Sequence, residues 1–232
     1  MAYIQVTEDG PKSALIKHFT SEELEKFINA AQAKPGDIIF FGAGEFQTVC
    51  NALGQVRLAC ADKFKLRDSN ILAYLWVTDF PLFEIDSEGQ LAAAHHPFTA
   101  PRDDQFEVLK TNPEKTIAKA YDIILNGHEI GGGSIRIHDQ ELQSMIFELL
   151  KISPEEQEKR FGHLLEAFEY GAPPHGGIAF GFDRVLMVLH DEPNIREVIA
   201  FPKDSKGKDL MLKAPSPVPH ENIEELGLAI KT

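Results

Sequence analysis

The sequence predicts an α+β fold, in which an antiparallel sheet is backed by helices and a small α/β unit precedes it. Two turn signals indicate the sheet: residues 86–89, which read Asp-Ser-Glu-Gly, and the pair Asn126 and Gly127. Each lies between strand-like segments, and such turns join neighbouring antiparallel strands. Helical patterns lie between and after these hairpins, which favours a sheet backed by helices.

Residues 1–67 are predicted to form the small α/β unit. Thr20 and Glu23 have the spacing of a capping box, and apolar residues at helical spacing follow as far as Ala31. Residues 37–41 are an apolar segment typical of a short buried strand, and a second helix is expected over residues 46–60. Residues 67–70 are interpreted as a linker to the next unit.

The second part of the chain alternates strand and helix patterns. Strands are expected over residues 71–77, 80–85, 90–94, 121–125, 128–138, 176–182 and 198–201, and helices over residues 139–150, 153–171 and 183–189. Asp139 and Ser153 are expected to cap two of these helices. The tail after Lys203, rich in Lys, Pro and Gly, is expected to run over the surface.

Composition and charge exclude several classes of protein. The chain has 232 residues, of which 43% are hydrophobic, so it can bury a sizeable core and wholesale disorder is not expected. The net charge is −13, and an acidic domain repels phosphate backbones. Any nucleic acid that it serves must therefore meet a local basic spot or another part of the molecule.

The two cysteines and the apolar segments predict where the protein works. Cys50 and Cys60 make neither a disulfide framework nor a zinc motif, which fits a reducing, cytoplasmic setting. No apolar run approaches the roughly 20 residues that span a bilayer, so no membrane segment is expected. The first ten residues lack the pattern of a signal peptide.

Two carboxylates are expected on one face of the hairpin that turns at Asn126 and Gly127. With a two-residue loop, Asp122 lies opposite Gly131, and it shares a sheet face with Glu129 at about 5–8 Å. A Mg²⁺ ion bridged to a phosphate would relieve the repulsion between the two carboxylates. An exposed acidic surface screened by water is an equally good interpretation of this pair alone.

The strand after this pair carries three glycines and an arginine. Glycines at 131–133 indicate a bulge or the close approach of a ligand. Arg136 offers a planar fork suited to a carboxylate, but in a regular strand it would face away from Glu129 because their offset is odd. If both line one pocket, the glycines must form a bulge. His95 and His96 also adjoin along a strand end, so only one of them can face a given pocket, unless both are ordinary surface histidines.

The segment 176–184 joins a strand of small residues to a helix. The amino end of that helix, with Arg184 close by, offers an anion site, and Gly181 would let a flat ligand lie against the backbone. The alternative is a tight strand–helix junction in which Arg184 pairs with a neighbouring acidic residue.

Six blocks together resemble bacterial-type aspartyl-tRNA synthetases of class II. They lie at residues 80–83, 95–101, 121–129, 131–138, 168–177 and 181–184. On this resemblance, residues 1–67 are the C-terminal part of an insertion domain, residues 68–205 a catalytic-domain portion with motif 3, and residues 206–232 a C-terminal extension. Motifs 1 and 2 and the anticodon-binding domain are not found, so the chain is expected to be a C-terminal portion of such an enzyme.

The resemblance implies roles for individual residues. Arg136 would bind the side-chain carboxylate of L-aspartate, with His95 contacting the amino acid, and Asp122 with Glu129 would hold Mg²⁺ on the phosphates of ATP. The residues that it implies for ATP are Glu129, Gly181, Phe182, Asp183 and Arg184, and those for catalysis are Arg136, Arg184 and Glu129. It also implies binding of tRNA, mainly outside this chain, and a homodimer in the complete enzyme.

Three functions are compatible with these observations. The first is an aspartate–tRNA ligase of which this chain is a part. The second is an aspartate-activating paralogue that needs no tRNA, such as an asparagine synthetase, although the insertion-domain segment argues against it. The third is an inactive fragment or a binding or assembly module. Unpaired sheet edges are further expected to make the isolated chain unstable or self-associating.

Overall fold

The chain folds into two compact units, which divide after Asn70. The structure is a computed structural model that describes residues 2–230. No helix within this range is long and apolar enough to cross a membrane.

The first unit is a three-stranded antiparallel sheet with two helices. Its elements are β1 (Ala2–Thr7), β2 (Gly10–Lys12), α1 (Ser21–Ala30), β3 (Ile38–Phe41) and α2 (Phe46–Lys63), and the strand order is β2-β1-β3. The capping box at α1 is confirmed, since Thr20 accepts from the Glu23 amide and the Glu23 side chain accepts from the Thr20 amide. The sequence analysis missed β1, although its buried Ile4 and Val6 alternate with polar or exposed residues.

The second unit is built on a four-stranded antiparallel sheet of order β4-β7-β8-β9. Its elements are β4 (Tyr74–Val77), β5 (Phe83–Ile85), β6 (Leu91–Ala93), α3 (Phe106–Thr111), β7 (Ala120–Leu125), β8 (His128–Ile135), α4 (Gln140–Leu149), α5 (Pro154–Glu169), β9 (Gly176–Phe180), α6 (Phe182–Leu189) and α7 (His220–Glu225). Strands β5 and β6 form a separate hairpin. The predicted α+β class, an antiparallel sheet with helices, is confirmed.

The core of the second unit lies where α4 meets the segment that follows β8. Ile146 and Phe147 of α4 and Ile137 after β8 are each 1% exposed. Asp139 caps α4 by accepting from the Leu142 amide, as predicted. This packing fixes the segment after β8, and with it the neighbouring Arg136.

The predicted strand over residues 198–201 is wrong. Residues Ile195–Val198 form a 3-10 turn instead, because the side chain of Asn194 accepts from the amide of Arg196 at 3.0 Å and caps the turn. Residues 199–201 pair with no strand of the part of the chain that the structure describes. The local apolar pattern did not reveal this cap.

A bulge in β8 changes the predicted hairpin register. Ile124 pairs with Glu129 as expected, but the register then shifts, so that Asp122 lies opposite Gly132 rather than Gly131. Ile130 is the extra residue. Asp122 and Glu129 still share a face, since Glu129 pairs with Ile124, which lies two residues from Asp122 along β7. A bulge that puts Glu129 and Arg136 on one face is therefore present, but it lies at Ile130, before the glycines in which the sequence analysis placed it.

The glycines of β8 are required by the close approach of β9. A Cβ on Gly131 would lie 2.8 Å from the carbonyl oxygen of Ala179, and one on Gly133 would clash with that of Gly177. Across the same position, the Tyr121 hydroxyl of β7 donates to the Gly177 carbonyl of β9 at 3.0 Å. Strand β8 is thus clamped between its two neighbours.

The outer strand β4 exposes apolar side chains. It pairs with β7 alone among the described strands, and Tyr74, Leu75 and Trp76 are each more than half exposed. Apolar residues on an open strand edge favour association with other chains. Self-association of the isolated chain stays a prediction.

We predict that Gly133→Ala destabilises the fold by about 2–3 kcal/mol, because the new methyl group has to displace the Gly177 carbonyl. Gly177→Ala is the matched control, since a Cβ at that position has no atom within 4 Å. Urea unfolding of both variants, followed by circular dichroism, measures the difference. Equal stability of the two variants would show that β8 and β9 are not clamped as described.

Candidate functional site

A cleft forms where β8 runs beside the start of α6. Arg184, in the first turn of α6, reaches back to β8, where its Nη1 donates to the backbone oxygen of Glu129 at 2.6 Å. The same nitrogen lies 4.0 Å from Oε1 of the Glu129 side chain. Both side chains are about half exposed, so this pair is open to solvent and to ligands.

The cleft has a volume of about 180 Å³ and mixed charge. Its lining consists of Glu129, Ile130, Gly131, Ala179, Gly181, Asp183, Arg184 and Ile195. Two carboxylates and one guanidinium give this lining a formal charge of −1. A polyphosphate entering here would meet net negative charge, and a bound cation would have to balance it.

The amino end of α6 opens into this cleft. Gly181 occupies the N-cap position, and no side chain caps the helix. The amides of the first turn are therefore available to an anion, as the sequence analysis proposed. A Cβ on Gly181 would meet only ordinary contacts, the nearest 3.7 Å away at Arg184, so the surrounding protein does not itself require glycine here.

Asp122 lies on the same face of the sheet as Glu129 but does not line the cleft. Its carboxylate lies over Gly132, where a Cβ would clash with Oδ1. No cluster of three His, Cys, Asp or Glu side chains that could hold a metal exists among the described residues. Two carboxylates completed by phosphate oxygens and water match the usual coordination of Mg²⁺.

Arg136 follows the end of β8 and is fixed by its backbone. Its amide donates to the His175 carbonyl at 2.9 Å, and it forms an antiparallel bridge with Thr99. Its Nη1 is buried and has no hydrogen-bond partner among residues 2–230. A buried guanidinium nitrogen without a partner is costly, and a carboxylate ligand would satisfy it.

The two histidines of the segment before Thr99 have different surroundings. The His95 ring packs edge-on against Phe80, with centroids 5.0 Å apart. Nδ1 of His96 accepts from the Phe98 amide at 3.2 Å, which requires the neutral tautomer with its proton on Nε2. Partial burial and, to a lesser extent, the positive charge of Arg136 lower the pKa of His96 below its ordinary value of 6.5.

The structure therefore separates the predicted site residues into two groups. One cleft is lined by Glu129, Gly181, Asp183 and Arg184. Arg136 lies just past the end of β8, about 20 Å from Glu129 as measured along the extended chain. Phe182 is 72% exposed and does not line this cleft. The positive charge of Arg136 acts on His96, whereas the resemblance implied a contact between His95 and the amino acid, which stays a prediction.

Sequence reasoning missed some residues of both groups. Ile195 closes one side of the cleft, although it was assigned to no element. The cap at Asn194 was the available signal, since Asn before a short polar segment favours a turn. Ser134 is buried, and its hydroxyl lies 3.3 Å from that of Thr99, which joins β8 to the segment containing the histidines.

Comparisons with known proteins identify relatives of this chain. A family model described as tRNA synthetases class II (D, K and N) matches residues 14–205. The chain is 47% identical over 232 residues to the aspartate–tRNA(Asp/Asn) ligase of Bacillus subtilis strain 168, covering 100% of this chain and 39% of the relative. It is also 47% identical over 232 residues to the aspartate–tRNA ligase of Staphylococcus carnosus strain TM300, covering 100% of this chain and 40% of that protein.

A solved structure also matches the chain. The aspartyl-tRNA synthetase of Entamoeba histolytica superposes with a TM-score of 0.46 at 24% identity, covering 81% of this chain and 32% of that one. The chain spans about two fifths of the length of the curated relatives it matches, 39% and 40% in the two cases above.

We predict that Arg136→Gln raises the pKa of His96 toward 6.5, because the neighbouring positive charge is removed. Since the folded pKa lies below the unfolded one, this histidine contributes stability above about pH 6.5, and that contribution is lost as the pH falls. Histidine-selective NMR titration measures the midpoint. Arg102→Gln serves as control, since Arg102 pairs with Asp79 and does not influence His96. An unchanged midpoint in Arg136→Gln would contradict this placement of Arg136.

Proposed function

The chain belongs to the class II tRNA synthetases of the D, K and N group, and on that premise we propose that it carries part of the amino-acid activation site of an aspartate–tRNA ligase. The names of the relatives, aspartate–tRNA ligase and aspartate–tRNA(Asp/Asn) ligase, support aspartate as the amino acid. They differ in the tRNA that they name, so the proposal extends to aspartate and to tRNA as a class.

The proposed reaction has two steps. An oxygen of the aspartate α-carboxylate attacks the α-phosphorus of ATP, the bond to the oxygen that bridges to the β-phosphorus breaks, and pyrophosphate leaves. The resulting aspartyl-adenylate then transfers its acyl group to the terminal adenosine of tRNA, and AMP is released. Neither step requires a covalent bond to the protein, so positioning and charge compensation supply the catalysis.

The observation that carries the proposal is the buried, unpartnered Nη1 of Arg136. A guanidinium with a free, desolvated nitrogen is the group that best binds a carboxylate, which aspartate presents on its side chain. The neutral His96 beside it offers a further polar contact to the amino acid. The earlier assignment of that contact to His95 is retained as the competing proposal.

The cleft between β8 and α6 is proposed to bind ATP. Gly181, Phe182 and Asp183 would contact the nucleotide, and the first-turn amides of α6 would face its phosphates. Arg184 would stack on the adenine and lie near the γ-phosphate. Because Arg184 donates to the backbone oxygen of Glu129 in this structure, its guanidinium would exchange that hydrogen bond for one to a phosphate.

Asp122 and Glu129 are the residues proposed to hold Mg²⁺. Their shared sheet face and the net negative lining of the cleft fit a cation that accompanies ATP. Bound there, Mg²⁺ would neutralise charge on the phosphates. Glu129 and Asp122 would each contribute carboxylate oxygens and so orient the nucleotide relative to β8.

The same proposal assigns the three segments of the chain to domains of the complete enzyme. Residues 1–67 would belong to an insertion domain, residues 68–205 to the catalytic domain and residues 206–232 to a C-terminal extension. The complete protein would act in the cytoplasm as a homodimer and would meet tRNA mainly through parts outside this chain. The acidic charge of the chain supports this division, since it disfavours extensive contact with a nucleic-acid backbone.

The proposal is tested by amino-acid-dependent exchange of pyrophosphate into ATP. The chain is assayed alone and mixed with a polypeptide that supplies the part of the relatives that it does not span. Exchange that depends on aspartate, and not on asparagine or lysine, is expected at least in the mixture. Exchange without transfer to tRNA would favour an aspartate-activating paralogue, and no exchange in either sample would favour a binding or assembly module.

In the active sample, we predict that Arg136→Ala abolishes aspartate activation, with kcat/KM for aspartate falling at least 100-fold, because a buried charge-assisted contact is lost. Arg160→Ala is the matched control, since Arg160 forms an exposed pair with Glu156 on α5. Kinetics at varied aspartate and fixed ATP give the two parameters. Unchanged aspartate affinity in Arg136→Ala would refute the assignment.

A further inference from the structure

Helix α4 contains one buried amide, that of Gln143. The residue is 3% exposed, and its Nε2 donates to the carbonyl oxygen of Pro97 at 2.9 Å. Its Oε1 is buried and has no hydrogen-bond partner among the described residues. An apolar side chain would serve the core better than an amide whose oxygen is unsatisfied, so the contribution of Gln143 lies in the bond to Pro97.

The Pro97 carbonyl is the polar backbone group that this bond controls. Proline has no N–H, so its oxygen is the only polar backbone atom of the residue. Within residues 2–230 that oxygen accepts no other hydrogen bond. Gln143 therefore fixes the chain at the residue that directly follows His96.

The segment after Pro97 is anchored elsewhere. Phe98 is buried against Phe147 and Phe161, and its carbonyl accepts from the Ile137 amide at 2.8 Å. The backbone beyond it forms a bridge between Thr99 and Arg136. Gln143 thus ties the segment to α4 at Pro97, whose carbonyl has no other hydrogen-bond partner among residues 2–230.

His96 depends on this placement. Its Nδ1 accepts from the Phe98 amide, and its carbonyl accepts from the Thr99 amide at 3.0 Å, so the residue closes a small turn around Pro97. Arg136 lies close enough to lower the pKa of the ring. A shift of the Pro97 carbonyl would move His96 relative to Arg136.

We propose that Gln143 is a positioning residue for aspartate: it holds the turn at His96 and Pro97 at a fixed distance from Arg136, and so presets the carboxylate-binding pocket. This inference rests on the proposed function, because it takes aspartate as the ligand of Arg136. Gln143 acts through His96 and does not itself contact the ligand. Its removal should weaken aspartate binding and leave nucleotide binding unchanged.

The test compares Gln143→Met with Gln140→Met on the same helix. Methionine matches the length of glutamine but cannot donate to Pro97, and Gln140 is exposed and makes no side-chain contact to this segment. Dissociation constants for L-aspartate and for MgATP are measured by calorimetry on the 232-residue chain mixed with the polypeptide that supplies the part of the relatives that it does not span. Histidine-selective NMR reports the environment of His96.

In Gln143→Met, we expect the dissociation constant for aspartate to be about five- to tenfold higher, and that for MgATP to change by less than twofold. The NMR resonance of His96 should also shift. Gln140→Met should behave as the unaltered chain. If Gln143→Met does not fold, Gln143→Asn, which keeps the amide but withdraws it from Pro97, decides the question by the same measurements.

Two outcomes would overturn the inference alone: unchanged aspartate affinity in Gln143→Met, or equal losses for aspartate and MgATP, which would indicate a merely structural role. Failure of the unaltered chain to bind aspartate in this mixture would instead overturn the proposed function on which the inference rests. The two failures are distinguished because the unaltered chain is measured first and independently of any variant.

Discussion

The close packing of β8 between β7 and β9 is the constraint on which the rest of the second unit depends. Glycines at 131 and 133 permit it, because a Cβ at either position would meet the backbone of β9. The hydroxyl of Tyr121 spans β8 and bonds to Gly177 on its far side. The bulge at Ile130 lies directly before these glycines and puts Glu129, at the start of the strand, and Arg136, just after its end, on the same face of the sheet.

Strand β8 also positions the charged side chains of the second unit. At its start, Glu129 is held by Arg184, and the pair is exposed and free to exchange partners. Just after its end, Arg136 has a buried nitrogen with no partner in the described part of the chain. The strand therefore has an exchangeable ion pair at its start and, just past its end, a guanidinium with one buried nitrogen that lacks a partner among the described residues. The proposed binding of ATP and aspartate uses these two features.

Much of this arrangement could be predicted from local sequence, because short-range chemistry specifies it. Asn126 and Gly127 specify a two-residue hairpin, Asp139 caps α4, and Thr20 with Glu23 forms a capping box. The exact pairing of Asp122 could not be predicted, because a bulge moves the register by one residue and its position depends on how β9 packs.

The sequence by itself determined the hairpins and most helix boundaries, since each rests on residues within a few positions of one another. The order of these elements and of the motif blocks along the chain determined the α+β class and the family resemblance. Tertiary structure alone decided that the charge of Arg136 acts on His96, that Gln143 holds Pro97, and that Ile195 lines the cleft. The first two of these contacts, His96 with Arg136 and Gln143 with Pro97, join residues 40 or more positions apart. Their geometry is set by the packing of strands and helices against one another, which no local pattern in the chain encodes.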